Sequence, residues 1–573
     1  MRPLLTFLAT LLVVLALLGQ GPPTEGHVGR YAQYAVATDH PDASRAGASV
    51  LEAGGTAADA AAAAMLALGV ASPGSSGFFG GGFALYYSAK DDELTFIDFR
   101  ERAPLAATPD LFVDKPPVGE GPLSMASQRG GLASGVPGEP AGIAALVERF
   151  GRLTLEEVAA PAIALARKGV RVSANTARLG AAFGAQMRED EILRGWLDRT
   201  KGLKEGALLR QPRLAATLEA FARGGADVIY RGALTDEIVE ANRRAGGIFT
   251  REDLERYAVV FRKPLVGRHF GHVFVTAPPP SAGGYTLLQS LAILERVDPK
   301  LELGRFERLH AMAESWKGPY LDRQRYFGDP DHVELPIEAM MDPARIAARA
   351  RLIDRDRVTP VERFDFPLEP AEGAAVQPEG GGTSHLCVVD AEGNVAAVTT
   401  TVNLPFGARY TAAGAVMNDE MDDFARAVGE VNAFRLVGGE RNLPGPGKRP
   451  VSTMTPTIVF RDGKPVLCVG ASGGSRIVTA TQQVAMGVLF DGLDVGWAVK
   501  RARIHHQASP DVLGVESFSP LPPEAVEYLE ALGHRTETLL HSANVQAIEI
   551  RHGARPRLVA ASDPRKGGAP AGK

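Results

Sequence analysis

The chain has 573 residues, of which 45% are hydrophobic and 23% are charged, the balance expected of a soluble globular protein. Its length suits either several domains or one large body built from interleaved segments. The formal net charge of −5 leaves no basic excess, which argues against a nucleic-acid-binding protein and against one held on an anionic membrane.

The amino terminus differs from the rest of the chain in its apolar composition. Arg2 precedes an almost unbroken apolar run over residues 4–18, and polar and turn-forming residues follow it. Such a run is short for a membrane span and typical of a signal-peptide core. We therefore predict a signal peptide over residues 1–21, an exported protein that is periplasmic or extracellular, and no membrane span after its removal. An uncleaved anchor is the alternative.

The next elements follow from periodicity and from glycine and proline. An alanine-rich helix is predicted over 57–69, a glycine-rich loop over 73–82 and a strand over 83–87. Residues 155–256 are helical in pattern, and further helices are predicted from Tyr285 and over 307–325. Residues 362–382 hold prolines and glycines that favour an exposed, cleavable linker, and the chain beyond it becomes rich in strands.

Two strands directly after the linker predict a hairpin. Strand-like residues fill 383–390 and 395–402, and Gly393 supplies the left-handed residue of a three-residue hairpin loop. Asp390 then pairs with Asn394. The same register places Thr383 directly opposite Thr401, with Cβ atoms about 5 Å apart.

A threonine that follows three glycines has a specific chemical use. Its hydroxyl becomes a good nucleophile when a base lies beside it, and the free amine of an amino-terminal threonine is such a base. Cleavage before Thr383 would create that amine, Gly382 permits the strained backbone that cleavage needs, and Thr401 could hold the Thr383 hydroxyl. From these features alone, an ordinary cross-strand threonine pair behind a flexible linker stays open.

Several separated motifs resemble those of a known family, and this resemblance favours a self-cleaving threonine nucleophile over an ordinary cross-strand pair. They are Gly80-Gly81-Gly82-Phe83, Asp98-Phe99-Arg100-Glu101, Gly135-Val136-Pro137-Gly138, Thr383-Ser384-His385, Thr401-Val402-Asn403, Asn418-Asp419-Glu420-Met421-Asp422-Asp423-Phe424, Lys448-Arg449-Pro450 and Gly473-Gly474-Ser475-Arg476. In these motifs the chain resembles the γ-glutamyltranspeptidases, which are N-terminal-nucleophile hydrolases. The resemblance implies an α+β fold, the four-layer αββα sandwich. It also implies self-cleavage into a large subunit, 22–382, and a small catalytic subunit, 383–573, that form one structural unit.

The resemblance assigns roles to individual residues. Thr383 is the implied nucleophile, Thr401 its partner, and Gly473 and Gly474 the oxyanion hole. Binding of the substrate α-carboxylate is implied for Arg100, Ser452 and Thr453, and binding of the α-ammonium for Asn403, Glu420 and Asp423.

Two positions depart from the family pattern. Thr453 stands where the family usually has a second serine, so it keeps the hydroxyl and adds a methyl group. Phe434 stands where many members have a lid tyrosine, which puts a hydrogen bond from the lid to Asn403 in doubt. Residues 428–439 keep the length of the lid.

The implied reaction is γ-glutamyl transfer through a threonyl acyl-enzyme. The donor would be glutathione or a related γ-glutamyl compound, and the acceptor would be water, an amino acid or a peptide. The two subunits of one precursor would be each other's partners. No cofactor and no metal are implied, and no metal-ligand spacing is present in the sequence.

Three alternatives remain at this stage. The chain could be an acylase of the same fold with a different acyl group, or an uncleaved binding protein. Gly470-Ala471-Ser472-Gly473-Gly474 also fits the nucleophile elbow of α/β-hydrolases, with Asp491 or Asp494 and His534 or His541 after Ser472.

The two cysteines, Cys387 and Cys468, both lie in apolar, strand-like runs. Buried free thiols are the preferred prediction, and one disulfide is the alternative in an exported protein.

Overall fold

The computed structural model describes residues 26–368, 382–553, 555 and 557–573. The predicted signal peptide, 1–21, and most of the predicted linker lie outside the described residues.

The strands are numbered here in chain order. They are β1 (Val28–Tyr31), β2 (Ala35–Thr38), β3 (Gly81–Ser88), β4 (Glu93–Phe99), β5 (Val170–Arg171), β6 (Leu208–Leu209), β7 (Val260–Arg262), β8 (Leu265–His269), β9 (His272–Thr276), β10 (Gly382–Val389), β11 (Val395–Asn403), β12 (Thr411–Ala412), β13 (Ala415–Val416), β14 (Thr457–Arg461), β15 (Lys464–Ser472), β16 (Ile504–His505), β17 (Leu513–Glu516), β18 (Thr536–Leu539), β19 (Asn544–Ile550), β20 (Leu558–Ser562) and β21 (Ala571–Gly572).

The helices are numbered in the same way. They are α1 (Pro41–Glu52), α2 (Ala57–Ala71), α3 (Glu139–Phe150), α4 (Leu155–Lys168), α5 (Ala174–Met187), α6 (Glu191–Thr200), α7 (Pro212–Gly224), α8 (Asp227–Tyr230), α9 (Thr235–Arg244), α10 (Arg251–Glu255), α11 (Gly283–Val297), α12 (Arg305–Tyr326), α13 (Ile337–Met340), α14 (Pro343–Leu352), α15 (Ile477–Leu489), α16 (Val495–Lys500) and α17 (Pro523–Ala531), with short 3₁₀ turns at Gly131–Ala133, Val361–Phe364, Glu420–Asp423, Glu440–Asn442 and Gly474–Arg476.

Two antiparallel sheets of seven strands pack face to face and form the two inner layers. One has the order β21-β2-β10-β11-β3-β4-β7 and the other β1-β20-β19-β15-β14-β9-β8. Strands β10 and β11 face β15, and β10 also faces β19. Helices α2 and α3 cover the outer face of the first sheet, while α11, α15 and α16 cover the second. The four-layer αββα sandwich predicted from the resemblance is therefore confirmed.

The alanine-rich helix α2 brings the first outer layer close to β10, the strand that carries Thr383. Thr56 and Asp59 form a capping box at its start. All fifteen residues of α2 are buried, and their small side chains let the helix pack directly against β10 and β11. The predicted helix over 57–69 is confirmed and extends two residues further.

The β10–β11 hairpin has the predicted register. Asp390 N donates to Asn394 O at 3.1 Å, and Gly393 has a φ of 94°. Thr383 pairs with Thr401, and a bulge between Gly382 and Thr383 shifts the register directly before the threonine. The predicted opposition of the two threonines is confirmed.

The other predicted elements are largely found. Residues 155–256 form α4 to α10 with only the short pair β5 and β6 between them, and Thr250 with Asp253 caps α10. The predicted linker begins too early, since Val361–Phe364 is a 3₁₀ turn that buries Phe364. Cys387 and Cys468 are both buried and free, as preferred.

Asp390 fixes the hairpin and gives a test of this register. Its buried carboxylate accepts from the backbone N–H groups of Ala57, Glu392 and Asn394 and from Asn394 Nδ2. We expect Asp390→Ala to lower the free energy of unfolding by at least about 2 kcal/mol, because buried donors lose their acceptor. Asp91→Ala removes an exposed acceptor of Ser88 and is the matched control. Chemical denaturation followed by circular dichroism measures both, and equal stabilities would contradict the role given to Asp390.

Candidate active site

The Thr383 hydroxyl lies at the end of a short chain of hydrogen bonds. Thr401 Oγ is 3.0 Å from Thr383 Oγ and 2.8 Å from the carbonyl oxygen of Gly382. Asn403 N donates to Thr401 Oγ at 2.8 Å. A hydroxyl has one proton to donate, and the Gly382 carbonyl can only accept. Thr401 therefore donates to Gly382 and accepts from Thr383, which polarises the carbonyl group directly before Thr383.

The backbone of Thr383 is held by a residue from the carboxyl-terminal segment. Lys566 Nζ donates to Thr383 O at 2.5 Å and to Asp39 Oδ2 at 2.7 Å. Both side chains are buried, and burial raises the pKa of Asp39 although Lys566 opposes this rise. Neither Lys566 nor Asp39 was predicted from the sequence, because no local motif indicates a contact between residues that are 527 positions apart.

A buried charge cluster brings together three residues predicted to bind substrate. The Arg100 guanidinium forms ion pairs with Glu420 and, at 2.5 Å, with Asp423 Oδ2. Burial disfavours the charge on Arg100, but the two carboxylates outweigh it and raise the Arg100 pKa. Burial also raises the pKa of Glu420 well above its usual value, and Arg100 only partly offsets this. The Arg100 guanidinium thus has two carboxylate partners within the cluster.

Two further buried charges border the cluster. Burial raises the pKa of Glu101 to about 8, against the opposing effect of Arg100. Burial lowers the pKa of Arg323 on α12 to about 10, and Asp423 opposes this shift. Glu101 stood in a quoted motif without a role, and Arg323 was not singled out from the sequence.

The remaining predicted binding residues are buried but occupied by internal contacts. Asn403 has a φ of 73°, and its Nδ2 donates to Asp419 O at 2.9 Å. Ser452 Oγ accepts from Met454 N at 3.1 Å. Thr453 Oγ donates to Gly474 O at 2.9 Å, which links the predicted carboxylate site to the predicted oxyanion loop.

The two glycines of that loop form a turn that other residues could not adopt easily. Strand β15 ends at Ser472, Gly473 and Gly474 have φ values of 143° and 61°, and α15 follows. A Cβ on Gly474 would lie 2.2 Å from Cδ1 of Phe434. The Phe434 ring therefore covers Gly474, and only glycine leaves room for it.

The segment 428–439, for which the resemblance implies a lid, contacts the charge cluster through Asn432. Asn432 Nδ2 donates to Asp423 Oδ1 at 3.0 Å. Gln507 Nε2 donates to the carbonyl oxygen of Arg435 at 2.9 Å, and the Arg435 side chain pairs with Glu537. The segment is thus held by Asn432 and by the contacts of Arg435 with Gln507 and Glu537, without a tyrosine hydroxyl at position 434.

The alternative nucleophile Ser472 has the strand–turn–helix setting of an elbow but lacks its partners. Its Oγ contacts Asp39 Oδ2 at 3.5 Å. Asp491 pairs with Arg308 and Arg501, and Asp494 pairs with Arg30. His534 contacts His310 at 2.8 Å. Among the hydrogen bonds found for the described residues, none joins Ser472 to a histidine, so the serine triad that was the alternative is not assembled.

One group of possible metal ligands appears that the sequence spacing did not indicate. His310, Glu314 and His534 lie together in the interior. Their polar atoms are already engaged: His310 contacts His534 and Asp354 O, and Glu314 pairs with Lys317 at 2.6 Å. A buried ammonium beside the group disfavours an additional cation, so we interpret it as a structural network.

Comparison with known proteins now identifies the family. The family model of the gamma-glutamyltranspeptidases matches residues 43–573. The chain belongs to the γ-glutamyltranspeptidase family. It is 38% identical to the glutathione hydrolase proenzyme of Escherichia coli over 546 residues, which cover 94% of this chain and 91% of the relative. It is 34% identical to the proenzyme of the same name from Bacillus subtilis strain 168, with 90% and 88% covered.

Solved structures with similar folds include an acylase and a γ-glutamyltranspeptidase. The cephalosporin acylase from Bacillus halodurans matches with a TM-score of 0.79 at 25% identity, covering 97% of this chain and 98% of that one. A γ-glutamyltranspeptidase chain from Helicobacter pylori matches with a TM-score of 0.53 at 35% identity, covering 60% of this chain and 96% of its own. Among the described residues, no helix combines the length and apolar character needed to cross a membrane.

Thr401 offers a test of the hydrogen-bond chain at Thr383. Thr401→Val keeps the shape of the side chain but loses the contacts to Thr383 Oγ and Gly382 O. Two hydrogen bonds lost from the reacting groups cost about 2 kcal/mol, so chain cleavage before Thr383 should slow by about 30-fold. Thr401→Ser keeps the hydroxyl and should cleave at nearly the parental rate. A time course of the full-length band on a denaturing gel measures both, and equal rates for the two variants would contradict the assignment.

Proposed function

We propose that this member of the γ-glutamyltranspeptidase family is a glutathione hydrolase and γ-glutamyl transferase that matures by cleaving itself before Thr383. The observation that carries the proposal is the hydrogen-bond chain from Thr383 through Thr401 to the Gly382 carbonyl. Arg100, Glu420 and Asp423 supply the charges that a γ-glutamyl group requires, which supports the proposal. The names of the relatives in Escherichia coli and Bacillus subtilis support the choice of glutathione as donor.

Maturation begins with attack of Thr383 Oγ on the Gly382 carbonyl carbon. Thr401 donates to the carbonyl oxygen and so stabilises the negative charge that develops there. The C–N bond breaks, the proton of the hydroxyl passes to the departing amine, and Gly382 becomes an ester on Thr383. Water then hydrolyses the ester. The products are a large subunit ending at Gly382 and a small subunit starting at Thr383 with a free amine.

The mature site uses that amine as the general base. It takes the proton of Thr383 Oγ as the oxygen attacks the γ-carbonyl of the donor, and it protonates the departing amine. The N–H groups of Gly473 and Gly474 stabilise the oxyanion. Water or an amino compound then attacks the γ-glutamyl ester, which releases glutamate or a new γ-glutamyl amide.

Substrate binding exchanges one set of charge pairs for another. The α-carboxylate of the donor takes the place of Glu420 or Asp423 on Arg100, because a guanidinium suits two-point recognition of a carboxylate. The α-ammonium then takes the freed carboxylates, with Asn403 completing the site. Ser452 and Thr453 donate to the substrate carboxylate, which requires Thr453 to leave the carbonyl of Gly474. The buried charges remain paired before and after binding.

Export of the precursor is part of the proposal. The apolar run over residues 4–18 supports a signal peptide over 1–21, and a periplasmic or extracellular enzyme would meet glutathione outside the cytoplasm. The large subunit, 22–382, and the small subunit, 383–573, would stay together as one body, because β10 of the small subunit lies between β2 and β11 in one sheet.

Maturation gives the first test. The purified protein should run as two bands, and sequencing of the smaller should start at Thr383, giving 573 − 382 = 191 residues. Thr383→Ala should remain one chain and should be inactive on a γ-glutamyl anilide, with or without glycylglycine. A smaller band starting at another residue would contradict the assignment of the nucleophile.

Selectivity for the substrate charge gives the second test. Asp423→Asn removes the charge proposed to bind the α-ammonium, so kcat/KM for γ-glutamyl anilide should fall about 30-fold or more. Glutaryl anilide lacks the ammonium and should lose much less. Arg100→Ala should also lose γ-glutamyl activity but should still mature into two chains. Unchanged preference of Asp423→Asn for γ-glutamyl over glutaryl substrate would argue for an acylase with another acyl group.

The pH profile tests Lys566. An α-amino group has a pKa of about 8, and the nearby Lys566 ammonium should lower it so that the base is neutral at lower pH. Removing that charge raises the pKa of the amine, so Lys566→Met should move the acid limb of kcat/KM to higher pH. Lys566→Arg keeps the charge and should keep the parental limb. An unchanged limb in Lys566→Met, measured on fully matured enzyme, would restrict Lys566 to a structural role.

A further inference from the structure

Residues 541–543, directly before β19, border the predicted oxyanion loop and have no role in the reaction described above. A Cβ on Gly473 would lie 2.9 Å from Ala543 Cβ and 3.3 Å from the carbonyl oxygen of Ser542. Segment 541–543 is therefore part of the wall around the position at which the γ-carbonyl group of a donor would react.

Two polar atoms of this segment are buried without a hydrogen-bond partner among the described residues. They are Nδ1 of His541 and Oγ of Ser542. Most buried polar atoms in native proteins have a partner, so two unpartnered atoms at one wall of a site indicate a place where a polar ligand binds. Burial and the charges of Arg476 and Arg178 lower the pKa of His541 to about 4, so its imidazole is neutral near pH 7.

Arg178 on α5 is a cation near this segment that has no acidic partner in the described part of the chain. It is exposed, and its Nη2 donates to the neutral side chain of Asn175 at 2.8 Å. Partial desolvation lowers the pKa of Arg178, and no nearby carboxylate opposes the shift. The acid that acts on His541, Asp563, is buried and paired with Arg503 and Arg565. The Arg178 guanidinium can therefore accept a carboxylate from a ligand.

Helix α5 lies beside the proposed cleavage position. Leu179, the residue after Arg178, has its Cδ1 3.0 Å from where a Cβ on Gly74 would lie. The carbonyl oxygen of Gly74 is in turn 3.1 Å from where a Cβ on Gly382 would lie. Helix α5 and segment 541–543 thus both approach the end of β10 that carries Thr383.

We propose that Arg178 binds the carboxylate of the leaving amine, and of an amino compound that accepts the γ-glutamyl group, with His541 and Ser542 contacting the peptide part. This assignment rests on the proposed function, because Arg100 and its partners are there assigned to the γ-glutamyl side of the reacting carbonyl group. The departing amine must then lie along the other walls. Glutathione releases a dipeptide that ends in a carboxylate, and a guanidinium suits that group.

Esterification of one carboxylate tests Arg178. Matured enzyme should release glutamate from glutathione with a kcat/KM about 3-fold or more above that for glutathione esterified at glycine, as expected of an exposed ion pair. Arg178→Gln should bring this ratio to about one, mainly through KM, and Arg178→Lys should retain most of it. Arg171→Gln removes another exposed arginine, which donates to Gly206 O, and should keep the parental ratio. An unchanged ratio in Arg178→Gln, or equal kcat/KM values in the parental enzyme, would overturn the proposal.

Transfer to an acceptor gives a second measurement that does not depend on glutathione. With γ-glutamyl anilide as donor, the parental enzyme should prefer glycylglycine to glycylglycine amide as acceptor, and Arg178→Gln should lose this preference. Release of aniline from the same donor shows whether each variant has matured. A parental enzyme that releases no aniline would contradict the proposed function, whereas an active Arg178→Gln that keeps the acceptor preference would contradict this inference alone.

Discussion

The register of the β10–β11 hairpin is the constraint on which the candidate site depends. Side chains alternate along a strand, so a slip of one residue would turn Thr383 away from Thr401. Asp390 holds the turn at one end of the hairpin, and the bulge at Gly382 ends regular pairing at the other. The buried sandwich fixes the strand on both faces, and it thereby holds a 3.0 Å contact between two hydroxyl groups.

The second constraint on the candidate site is that its buried charges need partners of opposite charge. A buried arginine without counter-charges would destabilise the fold, and Arg100 obtains them from Glu420 and Asp423. A donor with one negative and one positive group can replace these pairs without leaving a charge unpaired. Asn432 in segment 428–439 contacts the same Asp423, so this segment has a polar attachment to the charge cluster although position 434 is a phenylalanine.

Local sequence patterns predicted the hairpin of the candidate site, whereas contacts between distant segments could not be predicted from them. Gly393 and Asp390 were enough to predict the hairpin register, whereas cleavage before Thr383 is an expectation that came from the family resemblance. The four-layer architecture came from resemblance, because periodicity does not say which strands pair. Lys566, Asp39 and Arg323 went unrecognised because tertiary folding alone brings them to the site. The hydrogen bond from Thr453 to Gly474 could not be predicted either, because a hydroxyl group in a sequence motif does not reveal its hydrogen-bond partner.

Trapping of the acyl-enzyme is the most direct test of Thr383 as the nucleophile. Mature enzyme would be mixed with a γ-glutamyl donor, quenched in acid during turnover and digested for peptide mass spectrometry. If Thr383 is the nucleophile, we expect one γ-glutamyl group on the peptide that begins at Thr383, attached through its side-chain oxygen. A γ-glutamyl group on the peptide containing Ser472, or full turnover with no modification at Thr383 under conditions that trap the intermediate, would contradict it.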